Sequence, residues 1–231
     1  MGNMYWCNLF NRYILQDRKD ISVTLSNGEI KDTSLDSNEV NDAIGLMYAV
    51  LRYLIPNELN IGRISKSISN KTIIKEIDTA ISTQGKSFSR ALILLQEARR
   101  TGVISSKIDK YCSILEYLYA INNSHKKNIS NITAAYIGND QIERSNIITH
   151  MREAYSVRSD KSHEYNLKYL KDNDERDLKK LSQIVDGYVR GVFIKTINSP
   201  SLNYGQDSES KAAVRKCFMD KAKAVYPDDY K

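Results

Sequence analysis

The sequence predicts an all-α helical bundle with one small β-hairpin near its N-terminus. Three observations carry this reading. Apolar residues recur every three to four positions over most of the chain, as on the buried face of a helix. The 231 residues include only 10 Gly and 3 Pro, which favours long uninterrupted elements over many tight turns. A single stretch alternates apolar and polar residues around a hairpin signal: Ile21, Val23 and Leu25 precede Asn27-Gly28, and Glu29–Thr33 follows.

The elements follow in order. Tyr5–Leu15 has the spacing of a short amphipathic helix. After the hairpin, Val40, Ile44, Met47, Tyr48, Leu51, Leu54 and Ile55 form a helical stripe that Pro56 ends. Asn57–Asn70 is polar and irregular. Ile73, Ile74, Ile77 and Ile81 predict another helix, broken by Gly85. Ser87 is placed to cap a helix holding Phe88, Ala91, Leu92, Leu94, Leu95 and Ala98, with Gly102 past its end. Ile108, Tyr111, Cys112, Leu115, Leu118 and Tyr119 predict the next. Asn122–Lys127 reads as a loop, and Ile129, Ile132 and Tyr136 as a shorter helix ending at Gly138. Asp140 opens a helix with Ile147, Ile148, Met151, Ala154 and Tyr155. Asp177 caps the longest one, Leu178 to Ile197, which Asn198-Ser199-Pro200 ends. A polar linker, Ser201–Ser208, leads to a last helix with Ala213, Val214, Cys217, Phe218, Ala222 and Val225. Three regions result: an N-terminal extension, 1–84; a helical domain, 85–198; and a linker with a final helix, 199–231.

Composition narrows the function classes. Hydrophobic residues make up 41% and charged residues 27%, which fits a globular protein with a core. The net charge of +6 is compatible with a nucleic-acid partner. Cys7, Cys112 and Cys217 are far apart and form no CxxC or Cys/His metal spacing, so neither a metal nor a cofactor is expected. No apolar run has the length of a membrane span, and a cytoplasmic location with no membrane partner is expected. No glycine-rich P-loop motif is present, so a sensor or ATPase would be another chain.

The chemistry concentrates in Tyr155–Tyr165, reading YSVRSDKSHEY. Arg158 carries a permanent guanidinium charge and His163 an imidazole that titrates near neutral pH. Residues five apart do not share a helix face, so convergence of the two requires the helix to end or kink between them. Ser159, Asp160 and Ser162 compete with helix geometry, and they predict such a junction. An imidazole that moves a proton beside a guanidinium that stabilises phosphate charge suits metal-independent RNA cleavage by the 2′-OH. Supporting roles fall to Glu116, which can pair with Arg158, and to Asp160 and Glu164, which can orient His163. Arg152, Lys161, Lys126 and Lys127 are candidates for RNA phosphate contacts. His125 reads as a solvated loop residue and His150 as a half-buried helix residue.

The segment SVRSDKSHE, preceded by MREAY, resembles the R-x4-6-H motif of HEPN-domain ribonucleases, and among them the Apea-like HEPN group. The segment RALILLQEARRTG, the helix around Leu115-Glu116, the shorter helix before Gly138 and the segment DLKKLSQIVDGYVRGVFIKTI come in that family's order. The resemblance covers Phe88–Asn198. It implies a HEPN-like bundle that forms a homodimer, with two Arg/His motifs in one composite cleft and RNA as substrate. It further implies an effector of prokaryotic antiviral defence or a toxin. Arg158 and His163 match the two fixed motif positions, and Ser159 matches the Apea-like pattern. Lys161-Ser162 is more polar than the aliphatic pair often seen in the family, and Glu164 stands where Gly is frequent. Two alternatives accompany this expectation. One is a non-catalytic HEPN-like module that binds nucleic acid or protein. The other is a regulatory subunit whose hairpin and Glu39–Ile55 helix meet a sensor or antitoxin protein on another chain.

Overall fold

The computed structural model describes residues 24–30, 36–54, 86–122, 125–163, 169, 173–199, 202, 204 and 207–230. The expected helices at Tyr5–Leu15 and Ile73–Ile81, and the outer arms of the expected hairpin, lie outside these residues. Among the described residues there are seven α-helices and no strand: α1 Ser37–Leu54, α2 Lys86–Arg100, α3 Ile104–Tyr119, α4 His125–Ile137, α5 Gln141–His163, α6 Glu175–Ile197 and α7 Ser208–Val225. A 3-10 turn, Pro227–Tyr230, follows α7. Helix α2 lies along α3 and α4 along α5. Helix α6 crosses α3, α4 and α5, and α7 packs on α4.

On α2, α3 and α6 the helical stripes read from the sequence are largely the buried faces. On α2, Phe88, Ala91, Leu94 and Ala98 face inward. On α3, Ile108, Tyr111, Cys112, Leu115, Leu118 and Tyr119 are fully buried. Aromatic rings join the helices: Phe88 meets Phe193 edge-on at 5.7 Å, and Phe218 meets Tyr119 at 4.7 Å and Tyr136 at 5.0 Å. Such pairs add about 0.5–1.5 kcal/mol each beyond area burial.

Several boundaries differ from the sequence reading. Helix α2 already includes Lys86, so Ser87 lies within its first turn. Helix α4 begins at His125, so Lys126 and Lys127 are helical rather than in a loop. The cap of α6 is Asp174, whose carboxylate accepts from the Arg176 and Asp177 amides. Asp177 closes the reciprocal contact from inside the first turn, a capping box. The stretch between α6 and α7 contributes two core residues, Leu202 and Tyr204, and the Tyr204 hydroxyl donates to the Leu118 carbonyl at 2.6 Å.

Ala120 ends α3 in the left-handed region at φ 52°. Its amide donates to carbonyls of the last turn, and its own carbonyl accepts from Arg215 Nε at 2.7 Å. That φ is more costly for alanine than for glycine.

Around Asn27-Gly28 the chain makes a tight reversal. The Leu25 amide donates to the Glu29 carbonyl at 2.8 Å, and the Gly28 amide to the Leu25 carbonyl at 2.9 Å. Gly28 has φ +83°, and a Cβ there would lie 2.5 Å from Ile104 Cδ1 and 2.9 Å from the Gly102 carbonyl oxygen. Only glycine satisfies both demands. The turn docks on the bundle through polar contacts. The Thr24 amide donates to the Arg99 carbonyl at 2.8 Å, and the Ser182 hydroxyl to the Ser26 carbonyl at 2.6 Å. The fully buried Lys107 ammonium donates to Thr24 Oγ1 at 2.7 Å and to the Ala98 carbonyl at 2.6 Å. Desolvation, helped by the Arg99 charge and opposed by buried Asp186, brings the Lys107 pKa down to about 8. Asp186 itself is paired with Arg99 at 3.3 Å and Arg190 at 2.6 Å.

Two outcomes are expected. Ala120→Gly raises stability by about 1 kcal/mol, read as a higher urea midpoint at unchanged slope. For Lys107 the folded pKa lies below the unfolded one, so the unfolded chain binds the extra proton between about pH 8 and 10.5. Stability of the wild type relative to Lys107→Met therefore rises across that window. Parallel melts of both proteins check it, and a difference that stays flat or falls refutes it.

Candidate functional site

The motif helix α5 turns two distinct faces to its surroundings. The inner face meets α3. Tyr155 and Arg158 are three residues apart and share that face. Opposite them, α3 presents Asp109 and Glu116, seven residues apart and so two turns along one face. The Arg158 guanidinium forms a hydrogen-bonded ion pair with the Glu116 carboxylate, and its Nε lies 3.3 Å from Asp109 Oδ1. The Tyr155 hydroxyl donates to the same Glu116 oxygen at 3.0 Å, and the Tyr155 ring lies 5.7 Å from the guanidinium carbon. The side chains of Arg158 and Glu116 are 27% and 13% exposed, so solvent screens the pair only in part. Burial opposes the Arg158 charge, yet the bond and charge of Glu116 outweigh it and raise its pKa. Burial also raises the pKa of Tyr155 and of Cys112, which is fully buried on α3 with the Arg158 charge acting on it. Tyr155 is thus a hydrogen-bond donor and Cys112 a neutral thiol.

The predicted junction between Arg158 and His163 is absent. Helix α5 runs unbroken from Gln141 to His163. The polar residues that compete with helix geometry are accommodated in its last turns, and Asp160 accepts the Tyr169 amide at 3.3 Å. On a regular helix, five positions separate the two residues by about 140° around the axis and about 7.5 Å along it. Within one chain the motif therefore points its two fixed positions apart. The side chains of Lys161, Ser162 and His163, and the whole of Glu164, lie outside the described residues.

The outer face of α5 carries a different set. Positions 152, 156, 159 and 163 follow spacings of four, three and four, so they form one stripe. Arg152 and Ser159 are exposed. Ser156 accepts from the Lys126 ammonium at 3.0 Å and donates to the Arg152 carbonyl at 3.0 Å. The neighbouring Lys127 bonds the backbone carbonyl of Asp229 at 2.6 Å and lies 3.1 Å from its carboxylate. So Arg152 and Lys126 are brought together at Ser156, with Lys127 next along α4, while Arg158 and Glu116 are brought together on the inner face. His150 Nδ1 is 2.8 Å from the Tyr188 hydroxyl, whose pKa burial raises to about 12. The side chain of His125 lies outside the described residues.

Ser156, Asp109 and Asp229 were not among the sequence candidates. The seven-residue spacing of Asp109 and Glu116 was a usable signal for a shared face. Asp229 had none, because its contact crosses from the 3-10 turn to α4.

Among the described residues, no group of three or more His, Cys, Asp or Glu side chains is arranged to hold a metal ion. No described helix is long and apolar enough to cross a membrane. Comparison with known proteins found no matching family model, no matching curated protein and no matching solved structure.

The Arg158–Glu116 pair is open to a double-mutant cycle. Glu116→Ala removes the charge-assisted bond and leaves the half-buried guanidinium with Asp109, and is expected to cost about 1.5–3 kcal/mol. Tyr155→Phe, which removes one hydroxyl, is expected to cost about 1 kcal/mol. A coupling near zero between Glu116→Ala and Arg158→Ala in urea denaturation would show that the pair does not hold α3 to α5.

Proposed function

We propose that this chain is a HEPN-like, metal-independent endoribonuclease that acts as a dimer. The observation that supports this reading is the placement of the motif. Arg158 is held in a defined pose by Glu116, Asp109 and Tyr155, on the helix that also carries His163. An all-α bundle, α2 to α6, surrounds it, and this all-helical setting supports the reading.

In the proposed reaction the 2′-oxygen of a ribose attacks the adjacent phosphorus and the bond to the 5′-oxygen breaks. His163 takes the proton from the 2′-hydroxyl, and a proton is returned to the departing 5′-oxygen. The guanidinium stabilises the negative charge that develops on the phosphoryl oxygens. Because positions 158 and 163 diverge on one helix, a second copy supplies the facing half of a composite cleft. A cytoplasmic role in prokaryotic antiviral defence or as a toxin follows from the same resemblance.

A non-catalytic binding module is the second reading. One observation favours it: Arg158 already faces two carboxylates, Glu116 and Asp109, which offset its charge toward a phosphate.

The test is inducible expression in bacteria of the wild type, Arg158→Ala and His163→Ala, with growth and total RNA followed, and RNA cleavage assayed with and without EDTA. Growth arrest with fragmented RNA, insensitive to EDTA and lost in both folded variants, is expected. Intact RNA with every protein, or equal fragmentation by wild type and His163→Ala, moves the assignment to the binding module.

A further inference from the structure

The 3-10 turn Pro227–Tyr230 lies against α4, within reach of the Arg152 charge on α5. The Asp229 carboxylate accepts from Asn131 Nδ2 at 2.8 Å through one oxygen and lies 3.1 Å from the Lys127 ammonium through the other. The Asp229 carbonyl accepts from the same ammonium at 2.6 Å. Lys127 also lies 5.7 Å from the centre of the Tyr230 ring. The charge of Arg152 acts on this carboxylate too, and the bonds from Lys127 and Asn131 chiefly hold the Asp229 pKa below its ordinary value. One residue before Lys127, Lys126 reaches across to Ser156 on α5. Two cations on two helices, Lys127 and Arg152, thus act on one carboxylate, with Lys126 alongside at Ser156.

A carboxylate between an ammonium, an amide and a nearby guanidinium occupies the kind of place that a backbone phosphate takes in RNA complexes. The seat is not a tight structural fit. The Tyr226 hydroxyl at the head of the turn is buried with no hydrogen-bond partner, which is unfavourable. The Lys127 and Asp229 side chains are 48% and 40% exposed, so their pairing is screened by solvent and open to exchange. Along α5, Arg152 leads through Ser156 and Ser159 to position 163 on one stripe.

We propose that Lys126, Lys127, Asn131 and Arg152 form a phosphate subsite for an RNA strand lying along the outer stripe of α5, and that Asp229 is its intramolecular occupant. This deepens the RNA reading and rests on it. The subsite leads toward the position of His163 and not toward Arg158. Displacement of Asp229 is then the step that admits RNA, and the turn acts as a self-competing lid on the strand path.

The probe is a fluorescein-labelled 2′-O-methyl RNA 20-mer, which lacks the free 2′-hydroxyl and so reports binding without cleavage. Affinity is read by anisotropy at several salt concentrations for the full chain, Asp229→Asn and Asp229→Ala, each checked for retained helicity. Both variants remove the occupying carboxylate charge and leave the subsite residues in place. Either is expected to bind at least about threefold tighter than wild type at low salt. Adding Lys127→Gln to Asp229→Asn is expected to abolish the gain and to make the salt dependence shallower by about one phosphate contact. Unchanged or weaker binding by folded Asp229→Asn, or absence of binding by every protein, overturns the proposal. The two readings fail separately. Tighter binding by Asp229→Asn with no cleavage of ordinary RNA by any protein sinks the nuclease and keeps the subsite. Cleavage by wild type with no gain in Asp229→Asn does the reverse.

Discussion

Helix α3 can be central only if its polar side chains find partners inside the bundle. It is flanked by α2, α5 and α6, and a buried polar group without a partner costs more than most contacts return. Lys107, Tyr111 and Glu116 meet this constraint differently. Lys107 is satisfied by Thr24 and the Ala98 carbonyl, which ties the N-terminal turn to the bundle. Glu116 is satisfied by Arg158 and Tyr155, which fixes the rotation of α5 about its axis. The Tyr111 hydroxyl is buried beside Asp186, and burial together with the Asp186 charge raises its pKa. Two peripheral segments thus take their orientation from the polar demands of one buried helix.

That rotation divides labour on α5. Because Tyr155 and Arg158 are committed to α3, positions 152, 156 and 159 face outward with Lys126 alongside. The motif arginine is the more buried cation, and the less conspicuous Arg152 is the exposed one. A fixed inward guanidinium and an outward basic stripe are different resources. The first braces the helix, and the second offers charge to a long-range field that a polyanion can follow.

Much of the bundle was legible in the sequence because its helices bury apolar stripes of ordinary period. Phe88–Ala98, Ile108–Tyr119 and Leu178–Phe193 are examples, and the pairing of Glu116 with Arg158 was readable as an acid on an otherwise apolar face. Helix ends were less legible. Asp174 and Asp177 are both capping residue types three apart, and only the backbone shows which stands outside the helix. The same ambiguity hid the continuity of α5. Ser159, Asp160 and Ser162 have low helix propensity, but differences of a few tenths of a kcal/mol per residue are too small to end a helix on their own. The contact of Asp229 with Lys127 joins positions 102 apart in sequence, and no local pattern encodes it.

Cys112 gives the bundle a chemical clock. Its thiol is fully buried on the α3 face that meets α5, and burial keeps it protonated, so thiol reagents reach it only when the helices part. Cys217 on α7 is only partly buried and stays accessible by comparison. The ratio of the two alkylation rates under native conditions therefore measures how often the Arg158 side of the motif helix lifts from its support.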